Sequence, residues 1–214
     1  MTRLALISLV CLSFASAHRL DEYLQATTIS LQKDRVQAQI RLTPGVAVYS
    51  SVMALIDTDR DGAISSEEER GYARRVLDDL SLTVDGDHPK LKLVSTTFPE
   101  VGAIKEGLGE IQIDFAADVG GHRFERRLVF ENHHQAPIAS YLVNCLIPSD
   151  PDIRVTRQNR NFGQSVYQLD YLQRGSQSSS TYAAWLAGVG GLMVAWLAIW
   201  TTTRACRDRS SLSA

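Results

Sequence analysis

The segment Asp57-Thr58-Asp59-Arg60-Asp61-Gly62-Ala63-Ile64-Ser65-Ser66-Glu67-Glu68 constrains this chain more than any other stretch of it. Carboxylates stand at its first, third, fifth and twelfth positions and a glycine at its sixth. Read as a ligand loop, Asp57, Asp59 and Asp61 supply side-chain oxygens and Ala63 its backbone carbonyl. Ser65 works through a bridging water, and Glu68 closes the site with two oxygens. An all-oxygen set of this size and spacing suits one calcium ion. Gly62 has a separate reason: the chain turns sharply there with positive φ, which glycine does without steric cost. Ile64 is expected to point inward and seat the loop on a core.

The flanks agree with the loop. Val48, Val52, Leu55 and Ile56 recur with helical spacing before it, after the break at Pro44-Gly45. Tyr72, Ala73, Val76, Leu77 and Leu80 do the same after it. Ser65 or Ser66 can cap the second helix, with Glu68 or Glu69 three residues on as the reciprocal partner. Asp85-Gly86-Asp87 and Asp150-Pro151-Asp152 read as turns and do not continue the pattern, so the loop is single. A single loop of this kind is expected to bind weakly, at about 10⁻⁴ to 10⁻³ M.

Two further segments carry targeting signals. Met1-Thr2-Arg3, an apolar run from Leu4 to Phe14 and then Ala15-Ser16-Ala17 have the form of a secretory signal peptide over residues 1–17. The uncharged run Ala183 to Ile199, bordered by Tyr182 and Trp200, predicts a membrane-spanning helix over 182–203. Arg204, Arg207 and Arg209 would hold the tail, 204–214, in the cytoplasm. Ala183, Ala187, Gly191 and Ala195 recur every fourth residue, a face suited to self-association in lipid. Gly175 to Ser180 reads as a linker, placed at 175–181. The expected topology is single-pass, with a domain of residues 18–174 in the periplasm or outside the cell.

That domain reads as mainly β. Thr27 to Gln32 and Arg35 to Leu42 alternate around Lys33-Asp34 as a hairpin. Short strand candidates follow at Leu82–Val84, Lys90–Ser95, Glu110–Phe115, His122–Phe130, Ser140–Leu146, Ile153–Arg157 and Val166–Leu172. The expected fold is an antiparallel β-sandwich with the helix-loop-helix, residues 46–80, inserted after the second strand.

Composition excludes more than it assigns. A formal net charge of -2 over 214 residues gives no reason to expect a nucleic-acid partner. Of Cys11, Cys145 and Cys206, only Cys145 falls in the β domain, so no internal disulfide is possible there, and a buried structural thiol is expected. No Gly-x-Ser-x-Gly, phosphate-cradling glycine loop or His-Glu-x-x-His is present, and no enzyme activity is expected. A second metal site, of the nitrogen type that copper favours, would need His18 at the mature N-terminus with His133 or His134. Histidines in polar, Asn-flanked stretches are otherwise surface or loop residues.

Residues 46–80 resemble the EF-hand family on the loop just described. More widely, Ala17-His18-Arg19-Leu20-Asp21-Glu22-Tyr23-Leu24-Gln25-Ala26 and Leu42-Thr43-Pro44-Gly45-Val46 look like an uncharacterised family of exported bacterial proteins that carry an EF-hand in a β-rich domain. Over residues 17–172 the chain is also similar to the extracytoplasmic part of nickel/cobalt transporters of the hydrogenase and urease accessory type. A single expected spanning helix departs from the transporter pattern, so transport by this chain alone is not implied. The resulting expectation is a non-enzymatic, calcium-binding membrane protein in which calcium orders the outer domain. Two alternatives stand beside it: an accessory subunit presenting nickel, cobalt or copper to a membrane transporter, and a calcium-dependent adhesion or interaction module.

Overall fold

The computed structural model describes residues 21–121 and 123–174. Within them the chain forms nine strands and three short helices. The first two strands, β1 (Tyr23–Leu31) and β2 (Arg35–Pro44), make the expected hairpin, closed where the Gln32 amide donates to the Arg35 carbonyl at 2.9 Å. Strict alternation of buried and half-buried residues along β1 gives that strand one core face. Helix α1 (Tyr49–Ile56), the acidic loop and helix α2 (Ser66–Asp78) follow, then β3 (Leu80–Val84). The remaining order is β4 (Lys92–Thr97), α3 (Val101–Lys105), β5 (Ile111–Asp118), β6 (Glu125–Asn132), β7 (Ala139–Cys145), β8 (Ile153–Arg160) and β9 (Val166–Gln173).

The strands divide into a five-stranded sheet, β4-β5-β2-β1-β7, and a four-stranded sheet, β3-β6-β9-β8. Their inner faces share one apolar core, in which Phe115 of β5 stacks on Phe130 of β6 with ring centroids 6.5 Å apart. The helix-loop-helix sits after β2, as expected, and it leads from the first sheet to the second, because β2 and β3 belong to different sheets. Val52, Met53 and Ile56 of α1 and Tyr72, Ala73, Val76 and Leu77 of α2 are buried in the same core. Each large side chain so buried contributes about 1.5–3 kcal/mol. The helix pair is therefore bonded to the β domain by packing on both sides of the loop.

Two expectations are corrected. The fold is mixed, not purely antiparallel: β7 runs parallel to β1, in register from Tyr23 with Ala139 to Ile29 with Cys145. Strand β6 lies in the other sheet, so the chain crosses between sheets before β7. A crossover leaves strand direction free, where a hairpin would have fixed it antiparallel.

The second correction concerns the membrane. Among the described residues no helix is long and apolar enough to cross one. Helix α2, with 13 residues, is the longest of the described helices. At about 1.5 Å per residue it extends only about 20 Å, against the roughly 30 Å of a hydrocarbon core. The segments expected to be leader (1–17), linker (175–181), spanning helix (182–203) and tail (204–214) lie outside the described residues. The single-pass architecture does not stand on the structure. The structure likewise gives no support to the membrane as partner, to self-association through Ala183, Ala187, Gly191 and Ala195, or to the periplasmic or extracellular placement.

Candidate metal centre

The acidic loop begins at the C-cap of α1, Asp57, and ends inside the first turn of α2. The backbone turns twice into the left-handed region, at Arg60 with φ 62° and at Gly62 with φ 83°. Around these turns each aspartate folds back on the chain ahead of it. The Asp57 Oδ2 accepts from the Gly62 amide at 3.1 Å, Asp59 Oδ1 from the Asp61 amide at 3.1 Å, and Asp61 Oδ1 from the Ala63 amide at 2.8 Å. Side-chain oxygens that accept from the backbone two residues on are the ordinary way aspartates build tight turns. The result gathers one oxygen from each of Asp57, Asp59 and Asp61 within 4.8 Å of one another.

These three carboxylates could coordinate a divalent cation. A test of the fit comes from the satisfaction of their oxygens. Asp57 Oδ1 is shielded from solvent and has no hydrogen-bond partner. A buried oxygen without a donor is costly, so a group that would face it is missing from the set of protein donors. A cation among the three carboxylates answers that need. Ala63 and Ser65 follow in the loop as expected, both exposed, and Ile64 between them is half-buried against the core.

Glu68 is held by hydrogen bonds within the loop. Its Oε1 accepts from the Thr58 amide at 2.7 Å and the Thr58 hydroxyl at 3.1 Å. Its Oε2 accepts from the amide and hydroxyl of Ser65, both at 2.9 Å. The carboxylate thus clips the second loop position to the ninth. Hydrogen bonds from Ser65, then from Thr58, hold its carboxyl at about 2, far below the ordinary range. With two hydrogen bonds on each oxygen, Glu68 must give up one per oxygen that turns to an ion. Ser65 in return receives the Glu68 amide at 3.3 Å, completing the capping box legible in the sequence.

Among the described residues the histidines do not form a ligand set. His18 lies outside the described residues. His133 is exposed, and its Nε2 contacts Glu131 at 3.0 Å. His134 is fully buried, with Nδ1 2.8 Å from Asp79 Oδ2 and Nε2 3.0 Å from the Tyr72 hydroxyl. Both of its ring nitrogens are engaged by protein groups. Both histidines lie in the turn after β6, and His134 is buried because that turn folds inward against α2.

What the sequence did not indicate is the polar hub around that ring. Tyr72 also contacts the Tyr23 hydroxyl at 2.6 Å. The His134 carbonyl accepts from Gln25 Nε2 at 2.8 Å and from the Tyr141 hydroxyl at 3.1 Å. Asn132 ties Gln25 to the His134 amide. Tyr23 and Gln25 from β1, Tyr72 from the middle of α2, Asp79 from its C-cap, and Tyr141 from β7 thus meet in one place. Cys145 is half-buried, and burial pushes its thiol up to about 11, the setting of a structural thiol.

Compared with known proteins, the chain matches no family model, no curated protein and no solved structure. What stands without them is a helix-loop-helix over residues 49–78 whose acidic loop could coordinate a metal ion.

Proposed function

We propose that this chain is a non-enzymatic, metal-binding accessory module whose loop 57–68, of EF-hand type, takes one calcium ion. The observation that carries this reading is the unpartnered, shielded Oδ1 of Asp57, one of the three aspartates whose carboxylates cluster. Donor chemistry supports calcium over nickel, cobalt or copper. The clustered side-chain donors are carboxylate oxygens, which suit hard cations, whereas imidazole and thiolate favour the later transition metals. The exposed, turn-built loop also fits a flexible oxygen cage better than the strict octahedron that magnesium demands.

The ion would supply two positive charges among Asp57, Asp59 and Asp61. The protein's own part is positional: α1 ends at Asp57 and α2 begins at Ser66, so drawing the carboxylates together fixes the two helix ends relative to each other. The test is calorimetric titration of calcium into the full chain beside Asp57→Asn and Asp61→Asn. One ion bound by the parent, with a loss of about tenfold or more in each variant (about 1.4 kcal/mol), is the expected result. Equal affinity in parent and variants would remove the loop as the site.

A further inference from the structure

The hydrogen-bond directions in the hub follow from one fixed point. Asp79 is a carboxylate and accepts only, so the His134 Nδ1 facing it at 2.8 Å carries the proton. In the neutral ring Nε2 is then the acceptor, and the Tyr72 hydroxyl donates to it at 3.0 Å. Tyr72 has spent its hydrogen, so at 2.6 Å it accepts from Tyr23. The chain therefore runs Tyr23 to Tyr72 to His134 to Asp79, each step a donation.

Protonation of His134 reverses this order. Nε2 becomes a donor toward Tyr72, whose hydrogen must turn to Tyr23. The Tyr23 hydroxyl is fully buried and has Tyr72 as its only hydrogen-bond partner among the described residues. Its own hydrogen is then left without an acceptor, a cost added to burying the charge. Two of the groups that meet at this ring belong to the exit helix: Tyr72 lies one turn beyond Glu68, and Asp79 is the helix C-cap. The charged groups that face the ring are Asp79 and Arg75, both from α2 or its cap. Tyr23 and Gln25 of β1, Asn132 of β6 and Tyr141 of β7 contribute neutral groups.

The geometry points to a pH-linked metal site: neutral His134 locks α2 to the β domain, and its protonation loosens the helix that carries Ser65 and Glu68 and so weakens cation binding. The inference rests on loop 57–68 being a cation site. Burial, the largest influence, holds the ring's pKa below its ordinary value, with Asp79 opposing. A lowered folded-state value means that the unfolded chain binds the proton more readily. Stability is then present above about pH 6.5 and is lost as pH falls through the lower folded-state value. By reciprocity, a cation in the loop lowers the affinity of His134 for its proton by the same factor.

The test is calcium titration of the full chain at pH 7.5 and pH 5.5, for the parent, His134→Gln and Tyr72→Phe. His134→Gln keeps one donor and one acceptor but cannot titrate. Tyr72→Phe keeps the ring and removes the tie to His134. The expected result is a loss of roughly fivefold in parent affinity at the lower pH, with less than about half that loss in either variant. His134→Gln should bind within about twofold of the parent at pH 7.5. Equal pH dependence in the parent and Tyr72→Phe, or in the parent and His134→Gln, overturns the inference while leaving the cation site intact. No binding by the parent at pH 7.5 overturns the cation reading and this inference with it.

Discussion

Ser65 and Glu68 hold each other across the start of α2: the Ser65 amide and hydroxyl each donate to Glu68 Oε2 at 2.9 Å, while the Glu68 amide donates to the Ser65 hydroxyl at 3.3 Å. This reciprocal pair serves two ends. It satisfies amide groups that a helix start leaves open, and it sets the last ligand position of the loop beside the ninth. Glu67, Glu68 and Glu69 in the first turn and Arg75 in the last also complement the helix dipole.

Ser65→Ala removes one hydrogen bond to Glu68 and the acceptor for its amide. In chelator the variant should be less stable by about 1 kcal/mol, the usual cost of a lost N-cap, read by thermal unfolding. Its Glu68 carboxyl, at about 2 in the parent, should move up toward the ordinary carboxylate range. Because the parent value is depressed, the stability tied to it is present above the ordinary carboxylate pKa and lost as pH falls toward about 2. Carboxyl titration by NMR would check it; an unmoved Glu68 would mean that the Ser65 amide and Thr58 set the shift without the Ser65 hydroxyl.

Gly62→Ala tests the turn itself. A Cβ there meets nothing within 4 Å, so space is not the obstacle. The φ of 83° is, and an L-residue held there costs about 1–2 kcal/mol. Calcium affinity should fall in proportion, by about tenfold, while the core packing stays as it is. Unchanged affinity would show that the strain is no greater with the ion than without it.

Arg126 tests the second sheet independently of the loop. Its side chain is 1% exposed, and its Nε lies 2.7 Å from Asp85 Oδ2, while its Nη2 donates to the Gly120 carbonyl at 2.6 Å. Arg126→Met strands the largely buried Asp85 and should destabilise by about 3–5 kcal/mol in denaturant unfolding. The Arg126→Met, Asp85→Asn double variant should recover part of this. A double variant no better than the single one would place the cost in the lost packing over Tyr171.

Cys145 should alkylate slowly in the native chain at pH 8 and fast in urea. With its thiol at about 11 only about one part in a thousand is thiolate at that pH, and the unfolded value is near 8.5. Mass spectrometry of the Cys145 peptide separates it from the other cysteines. Equal rates in both states would mean that the strand end is open.

Much of the candidate site was legible because its interactions span few residues. Asp59 reaches Asp61, Asp61 reaches Ala63, and Ser65 and Glu68 cap each other three residues apart, so spacing alone reports them. Gly62 was legible as a turn because only a glycine takes its φ freely. The clip from Glu68 to Thr58 was not legible, because a carboxylate at that position suits both an ion and such a clip, and spacing does not separate the two.

By itself, then, the sequence determined the two helices, the acidic turn between them, the cap of α2 and the β1–β2 hairpin, all set by side chains meeting their near neighbours. Only the tertiary structure decided that β7 lies parallel to β1, because a crossover between sheets leaves strand direction open. It alone decided that His134 is buried against Tyr72, 62 residues away in the chain, and that Tyr72 reaches Tyr23, 49 residues away. No period or local spacing encodes such contacts; they form because two sheets and a helix close over the same core.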